Sequence, residues 1–140
     1  DVTGVQTCAL PICLCPEPID SLQVEYHPYL DQGKMLTHVR KLNLPMMAYC
    51  PLGRGKLLSD PVAGEIARAK GRSIAQVLLR WHLQQPNVIP IPRSTHPARQ
   101  LENFSVFDFT LNDDEMQRLH ALARPDGRIA NPAGRSPAWD

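Results

Sequence analysis

Residues 45–58 of the chain read PMMAYCPLGRGKLL, an apolar run of strand length that stops at a proline and two glycines. An apolar run of this length, bounded by turn residues, is typical of a strand that is buried on both faces. Pro51 cannot donate to a strand ladder, and Gly53 favours a turn. The stretch therefore predicts a buried strand over residues 45–50, followed by a loop.

Strands and amphipathic helices alternate on both sides of this segment. Capping boxes formed by Ser73 with Gln76, and by Asn112 with Glu115, mark two helix starts. The further strands are predicted over residues 21–25 and 87–91, and the helices over 31–42, 60–70, 73–85, 96 or 97 to 104, and 112–123.

This order predicts an α/β fold with a parallel sheet and right-handed crossovers. Three strands are few, because a parallel sheet needs both faces covered and its edges paired. A (β/α)8 barrel requires about 250 residues, and a chain of 140 residues could supply its last three βα units, a terminal helix and a tail. The fold is therefore predicted to be the C-terminal portion of a TIM barrel.

The head of the chain is predicted not to be biological. Residues 2–12, VTGVQTCALPI, resemble the codon-by-codon translation of a synthetic adapter used in DNA sequencing, and the codon of Cys13 begins with the T that ends the adapter. The alternative is an ordinary N-terminal strand. Because foreign segments are set aside before the fold is considered, residues 1–13 are taken as a non-biological head and residues 14–140 as a partial domain.

The composition narrows the class of protein. A hydrophobic content of 43% and a charged content of 21% are typical of a soluble globular domain. The formal charge of +1 gives no reason to expect nucleic acid or a membrane surface as a partner. Cys8, Cys13 and Cys15 lie close together, but no further cluster completes a metal site, so no metal is predicted. A single genuine buried cysteine would fit a reducing cytoplasm, so a cytoplasmic location is expected.

Two longer motifs resemble the aldo/keto reductases: PMMAYCPLGRGKLL and VIPIPRSTHPARQLENFSVF, accompanied by QVEYHPYL and the closing PAWD. The resemblance spans residues 14–140 and is closest in pattern to bacterial reductases of the 2,5-diketo-D-gluconate reductase type. Its most specific part resembles the family's cofactor signature, with each fixed position filled: Ile91, Pro92, Arg93 and Ser94, then Arg99, then Glu102 and Asn103.

The resemblance implies a barrel that binds NADPH extended across the carboxyl ends of its strands. Arg93, Ser94 and Arg99 would hold the 2′-phosphate, which favours NADP over NAD, since a guanidinium matches a phosphate bidentately. Glu102 and Asn103 would bind the adenine.

The same resemblance gives roles to residues nearer the reacting end of the cofactor. Gln23, late in its strand, would bind the nicotinamide carboxamide, and Tyr49, at a strand end, would stack on the nicotinamide ring. Leu52 and Arg54, with the glycines around them, would form the loop over the pyrophosphate.

These residues could instead have purely structural roles, on the surface or in the core. Arg93 and Arg99 could belong to a solvated helix face, and Tyr49 could be a core aromatic residue. His27 is read as a packing residue at a strand end, because no carboxylate or nucleophile is positioned by sequence to partner it. The other helical histidines, His38, His82 and His120, are expected at surface or edge positions.

The family reduces carbonyls with an Asp, a Tyr, a Lys and a His, all from the first half of the barrel. That half is not in this sequence, so no catalytic residue is assigned here. The resemblance implies that the intact protein is an NADPH-dependent oxidoreductase that reduces aldehydes or ketones. It also implies a monomer that acts on a small carbonyl substrate, with sugar-derived keto acids as one candidate class. The alternatives are a non-catalytic nucleotide-binding fragment and an artefactual translation; the first is disfavoured because most of the barrel's strand partners are absent.

Overall fold

A parallel sheet organises the part of the chain that the computed structural model describes, namely residue 17 and residues 19–130. Its strands are β1 (Leu22–Glu25), β2 (Met46–Tyr49) and β3 (Val88–Pro90), and they lie side by side in chain order. Leu22 lies opposite Met46, and Met46 lies opposite Val88. The predicted strands and their parallel arrangement are confirmed, each strand being one or two residues shorter than predicted.

Five α-helices and one 3-10 helix connect and cover the strands within these residues. None of these helices combines the length and apolar character that crossing a bilayer requires. The helices are α1 (Gly33–Lys41), the 3-10 helix (Gly53–Ser59), α2 (Pro61–Lys70), α3 (Ile74–Leu83), α4 (Pro97–Phe104) and α5 (Asp113–His120).

Side-chain caps begin three of these helices. Asp60 accepts a hydrogen bond from the backbone N–H of Ala63 at 3.0 Å and so starts α2. Full capping boxes at Ser73 and Asn112 start α3 and α5. At the other end of α2, Gly71 adopts a φ of 60°, the left-handed conformation that glycine enters without strain.

One face of the sheet forms the core, and the other is open except at the carboxyl end of β1, where Glu25 is buried. Alternation along the strands places Leu22, Met46 and Val88 on the face that packs against the helices, where Met46 is fully buried. The opposite face carries Gln23, which is exposed, and Ile89, which is 46% exposed. Because parallel sheets are covered on both faces, the open face is what a section of a larger barrel would present.

The free edges and an exposed apolar helix face extend that open surface. Among the described residues, β1 and β3 each pair with β2 alone. On α4, Leu101 is 71% and Phe104 is 76% exposed, and these side chains lie one turn apart. An apolar pair at this exposure is covered in a stable domain, so this face is a second place where further structure would pack.

One histidine differs from its prediction. His82 is fully buried rather than at a surface or edge position: its Nδ1 lies 2.7 Å from the carbonyl oxygen of Leu78 and its Nε2 lies 3.0 Å from that of Tyr26. The prediction was wrong because α3 packs against α2, α4 and β3 together, so its buried stripe is wider than an amphipathic pattern indicates. His38 is half-buried and His120 is exposed, as expected.

The buried imidazole of His82 makes stability depend on pH. Burial lowers the pKa of His82 from 6.5 to about 4. Since the folded-state pKa lies below the unfolded value, the unfolded chain binds the proton more readily between them, and stability is lost as the pH falls below about 6.5. In the full-length protein we expect this group to remove about 2 kcal/mol of the free energy of unfolding between pH 7 and pH 5, measured by urea unfolding.

The His82→Gln variant should lack that pH-dependent part, whereas His96→Gln, at an exposed position, should keep it. An unchanged difference between pH 7 and pH 5 in His82→Gln would contradict the assignment to this ring.

Candidate functional site

An open groove of about 1000 Å³ lies where β2 and β3 end. Three segments line it: the turn after β2, the first residues of α3, and the loop after β3 that continues into α4. The structure brings seven of the nine predicted cofactor residues together in this groove. The seven are Leu52, Arg54, Arg93, Ser94, Arg99, Glu102 and Asn103.

The turn after β2 is shaped by residues with positive φ. Gly53 has a φ of 56°, and a Cβ at this position would lie 2.7 Å from Cδ1 of Leu57, so the site excludes larger residues. The backbone N–H of Gly53 donates to the carbonyl of Cys50 at 2.8 Å, and that of Gly55 donates to Leu52 at 2.9 Å. These two tight turns carry Leu52 and Arg54 into the wall of the groove.

The loop after β3 is fixed to the start of α4 by Ser94. Its Oγ accepts a hydrogen bond from the backbone N–H of His96 at 3.1 Å, and its carbonyl accepts from the side-chain amide of Gln100 at 2.8 Å. The side-chain amide of Gln76 in α3 donates to the carbonyl of Ser105 at 2.8 Å and holds the far end of α4. Arg99, Glu102 and Asn103, spaced three and four residues apart, therefore face the groove from one side of α4.

The charge of the groove suits an anion. Three guanidinium groups, of Arg54, Arg93 and Arg99, line it against one carboxylate, that of Glu102. Within the described part of the chain, none of these three arginines forms an ion pair. The first turns of α3 and α4 also border the groove, and helix N-termini favour negative charge. Phosphate groups are the ligands that such an arrangement accommodates best.

The contribution of α3 was not predicted. Ser73, Ile74 and Ala75 line the groove, as does Cys50. The sequence did identify Ser73 as a helix cap, and a helix that leads into a parallel strand begins at the carboxyl edge of the sheet. That combination could have placed the first turn of α3 beside the loop that follows β3.

Gln23 and Tyr49 lie outside the groove. Both project from the open face of the sheet, and Gln23 is the second residue of the four-residue strand β1 rather than late in it, which corrects that expectation. Tyr49 ends β2 as predicted and is half-buried. Burial and the nearby Glu25 carboxylate raise the pKa of the Tyr49 hydroxyl. Tyr49 directly precedes Cys50, so the open face meets the groove at this residue.

A buried carboxylate and histidine lie beside Tyr49. Glu25 and His27 are both fully buried, and Nε2 of His27 lies 3.0 Å from Oε1 of Glu25. The prediction that no carboxylate is positioned to partner His27 was therefore wrong. The signal was present in the E-Y-H order, because residues two apart lie on the same face of a strand. Burial lowers the pKa of His27, so a neutral ring donates through Nε2–H.

Comparison with known proteins places this geometry in a family. The model of the aldo/keto reductase family matches residues 16–124. Aldo-keto reductase family 1 member A1 of Bos taurus is 46% identical over 111 residues, which cover 72% of this chain and 34% of the relative. The oxidoreductase YtbE of Bacillus subtilis is 45% identical over 100 residues, 71% of this chain and 35% of the relative.

Solved structures agree with these sequence matches. The crystal structure of a putative 2,5-diketo-D-gluconic acid reductase B superimposes with a TM-score of 0.91 at 43% identity and covers 97% of this chain and 48% of its own. A Gox0644 variant solved with NADPH has a TM-score of 0.81 at 37% identity and covers 87% and 45%. The chain thus spans about a third of its curated relatives and about half of the solved ones. The predicted fold class, a C-terminal portion of a (β/α)8 barrel, is confirmed, and the chain belongs to the aldo/keto reductase family.

Proposed function

We propose that this chain supplies most of the NADP(H) site of an aldo/keto reductase whose other half carries the catalytic residues. The supporting observation is the groove itself, in which Arg93, Ser94 and Arg99 stand together with no ion-pairing carboxylate among the described residues. A 2′-phosphate in this position would meet two guanidinium groups, a hydroxyl and the first turn of α4. NADPH is also the ligand of the Gox0644 relative.

The remaining groove residues fit the other parts of the dinucleotide. Glu102 and Asn103 are half-buried on α4, next to the phosphate-binding residues, where an acceptor and an amide can bind the edge of the adenine. Leu52 and Arg54 line the groove from the turn after β2, and they would cover the pyrophosphate. Tyr49 and Gln23, on the open face beyond the groove, would receive the nicotinamide ring and its carboxamide.

Bound NADPH supplies the hydride for carbonyl reduction, and the residues of this chain bind and orient it. Neither Tyr26 nor Tyr29 is available as a proton donor to a substrate. The hydroxyl of Tyr26 is buried and donates to Gln85 at 2.7 Å, and that of Tyr29 donates to Asp60 at 2.8 Å. The proposed substrate of the complete protein is an aldehyde or ketone, with a sugar-derived keto acid suggested by the name of the putative 2,5-diketo-D-gluconic acid reductase B relative.

The two ends of the chain lie outside the described residues. That residues 1–13 are a non-biological head stays a proposal, and the family match begins at residue 16. The closing PAWD with Trp139, which carried part of the resemblance, is likewise not described. Reading the source DNA across the codons of residues 1–20 tests the head: adapter bases joined to coding sequence support it, and continuous genomic sequence contradicts it. Monomeric state and cytoplasmic location remain predictions.

The cofactor preference tests the proposed function. In the full-length protein that contains this chain, we expect NADPH to bind at least about tenfold more tightly than NADH, because the 2′-phosphate adds charge-assisted hydrogen bonds. The measurement is a fluorescence titration with each nucleotide, followed by the rate of aldehyde-dependent NADPH oxidation. Equal affinity for the two nucleotides would contradict the NADP assignment, and tight binding without turnover would favour the nucleotide-binding alternative.

A further inference from the structure

The segment of residues 124–130 follows α5 and returns to the carboxyl end of β1. The backbone N–H of Arg124 donates to the carbonyl of Tyr29 at 3.1 Å, and its guanidinium lies 4.2 Å from the centre of the Tyr29 ring. The N–H of Gly127 donates to the carbonyl of Arg124 at 3.0 Å. A Cβ on Gly127 would lie 1.7 Å from the carbonyl oxygen of Tyr29, so the segment passes too close for any other residue.

The carboxylate of Glu25 holds the end of this segment. Its Oε1 accepts from the backbone N–H of Ile129 at 2.7 Å, and its Oε2 accepts from that of Ala130 at 3.0 Å. A guanidinium nitrogen of Arg128 lies 3.8 Å from Oε2. Glu25 is fully buried, and a buried carboxylate persists only when its oxygens are hydrogen-bonded or paired. These contacts, together with that of His27, meet this requirement.

The held segment also touches the turn that lines the groove. A Cβ on Gly53 would lie 3.1 Å from Cδ1 of Ile129, so this side chain packs against the turn that carries Leu52 and Arg54. Glu25 is also the register neighbour of Tyr49. One carboxylate therefore fixes a segment that contacts the turn over the proposed pyrophosphate position and lies beside the proposed nicotinamide position.

We propose that Glu25 is a positioning residue that clamps residues 124–130 against the rim of the cofactor groove, so that docking of this segment and binding of NADP(H) favour each other. The coupling rests on the proposed function, whereas the clamp itself does not. Because coupling between two binding events is reciprocal, bound nucleotide should protect the clamped amides, and loss of the clamp should weaken nucleotide binding.

The test is hydrogen exchange at the amides of Ile129 and Ala130 in the full-length protein, with and without NADPH. We expect NADPH to slow this exchange in the wild type. We expect Glu25→Gln to accelerate it about tenfold or more and to raise the Kd for NADPH about tenfold. One of the two acceptor oxygens becomes an NH2 group that cannot accept a hydrogen bond, and the other loses its charge. Glu65→Gln is the matched control, because it removes a carboxylate from an exposed ion pair with Arg118.

A second variant approaches the clamp from its other side. Gly127→Ala leaves Glu25 intact but cannot fit beneath Tyr29, so it should produce the same faster exchange and weaker binding. Unchanged exchange in both variants would overturn the clamp, and faster exchange with an unchanged Kd would overturn the coupling. A wild type that does not bind NADPH would overturn the proposed function and the coupling, while the exchange rates without nucleotide would still decide the clamp.

Discussion

Replacing Arg99 by alanine is expected to weaken NADPH binding by about 100-fold and to leave NADH binding almost unchanged. A bidentate guanidinium–phosphate contact provides two charge-assisted hydrogen bonds, each worth roughly 1.5–3 kcal/mol, part of which the neighbouring arginine retains. Arg99 is exposed on α4, lines the groove and has no ion-pair partner among the described residues, so its loss breaks no ion pair there. The effect should therefore appear in the difference between the two nucleotides.

Two further variants sharpen this experiment. Arg99→Lys keeps the charge but not the planar pair of donors, so it should fall between the wild type and alanine. Arg68→Ala removes an exposed arginine from α2, away from the groove, and should change neither affinity. The Kd values come from fluorescence titration of the full-length protein. If Arg99→Ala weakened the binding of NADH and of NADPH equally, the guanidinium would not contact the 2′-phosphate. The assignment of this wall of the groove to the 2′-phosphate would then fail.

Local signals were sufficient to predict the strands and α-helices, because capping residues, prolines or glycines bound each of them. Ser73 with Gln76 and Asn112 with Glu115 form the boxes that the spacing predicted. The 3-10 helix over Gly53–Ser59 was predicted only as a loop, since Arg54, with a φ of 51°, adopts a left-handed conformation that a non-glycine residue rarely takes. Leu57, three residues after Arg54, is fully buried in the core, and no local pattern reports such packing.

The proposed site likewise contains residues that the sequence could predict and residues that it could not. The groove residues after β3 lie within one short stretch, so the resemblance could assign them together, and the fold then brings the turn after β2 to face them. The clamp at Glu25 could not be predicted, because its partner Ile129 is 104 positions further along the chain. The burial of His82 was missed for a related reason, since its Nε2 lies 3.0 Å from the carbonyl oxygen of Tyr26, which is 56 positions earlier in the chain. Contacts between segments that are distant along the chain depend on the complete fold, and no local periodicity in the sequence predicts them.

Truncating Trp81 is expected to be the most destabilising single change in this part of the protein. The indole is 1% exposed, and the rings of Tyr26, His82 and His120 lie with their centres 5.0, 4.7 and 4.9 Å from its own. Trp81 also borders a small cavity of about 200 Å³, which an alanine would enlarge rather than collapse. Trp81→Ala should lower the free energy of unfolding by about 3–5 kcal/mol, a large part of a typical total of roughly 5–15 kcal/mol.

The Trp81→Phe variant separates the effect of the ring's volume from that of the indole N–H group. The indole Nε1–H is buried and has no hydrogen-bond partner among the described residues, so removing it breaks no bond there and relieves a desolvation cost. The phenyl ring keeps much of the aromatic contact, and the loss should stay within about 1.5 kcal/mol. Guanidinium unfolding of the full-length protein, followed by circular dichroism, measures both variants. Equal destabilisation by phenylalanine and alanine would show that the indole nitrogen, rather than the volume of the ring, stabilises this core, and would require a hydrogen-bond acceptor in the neighbouring cavity.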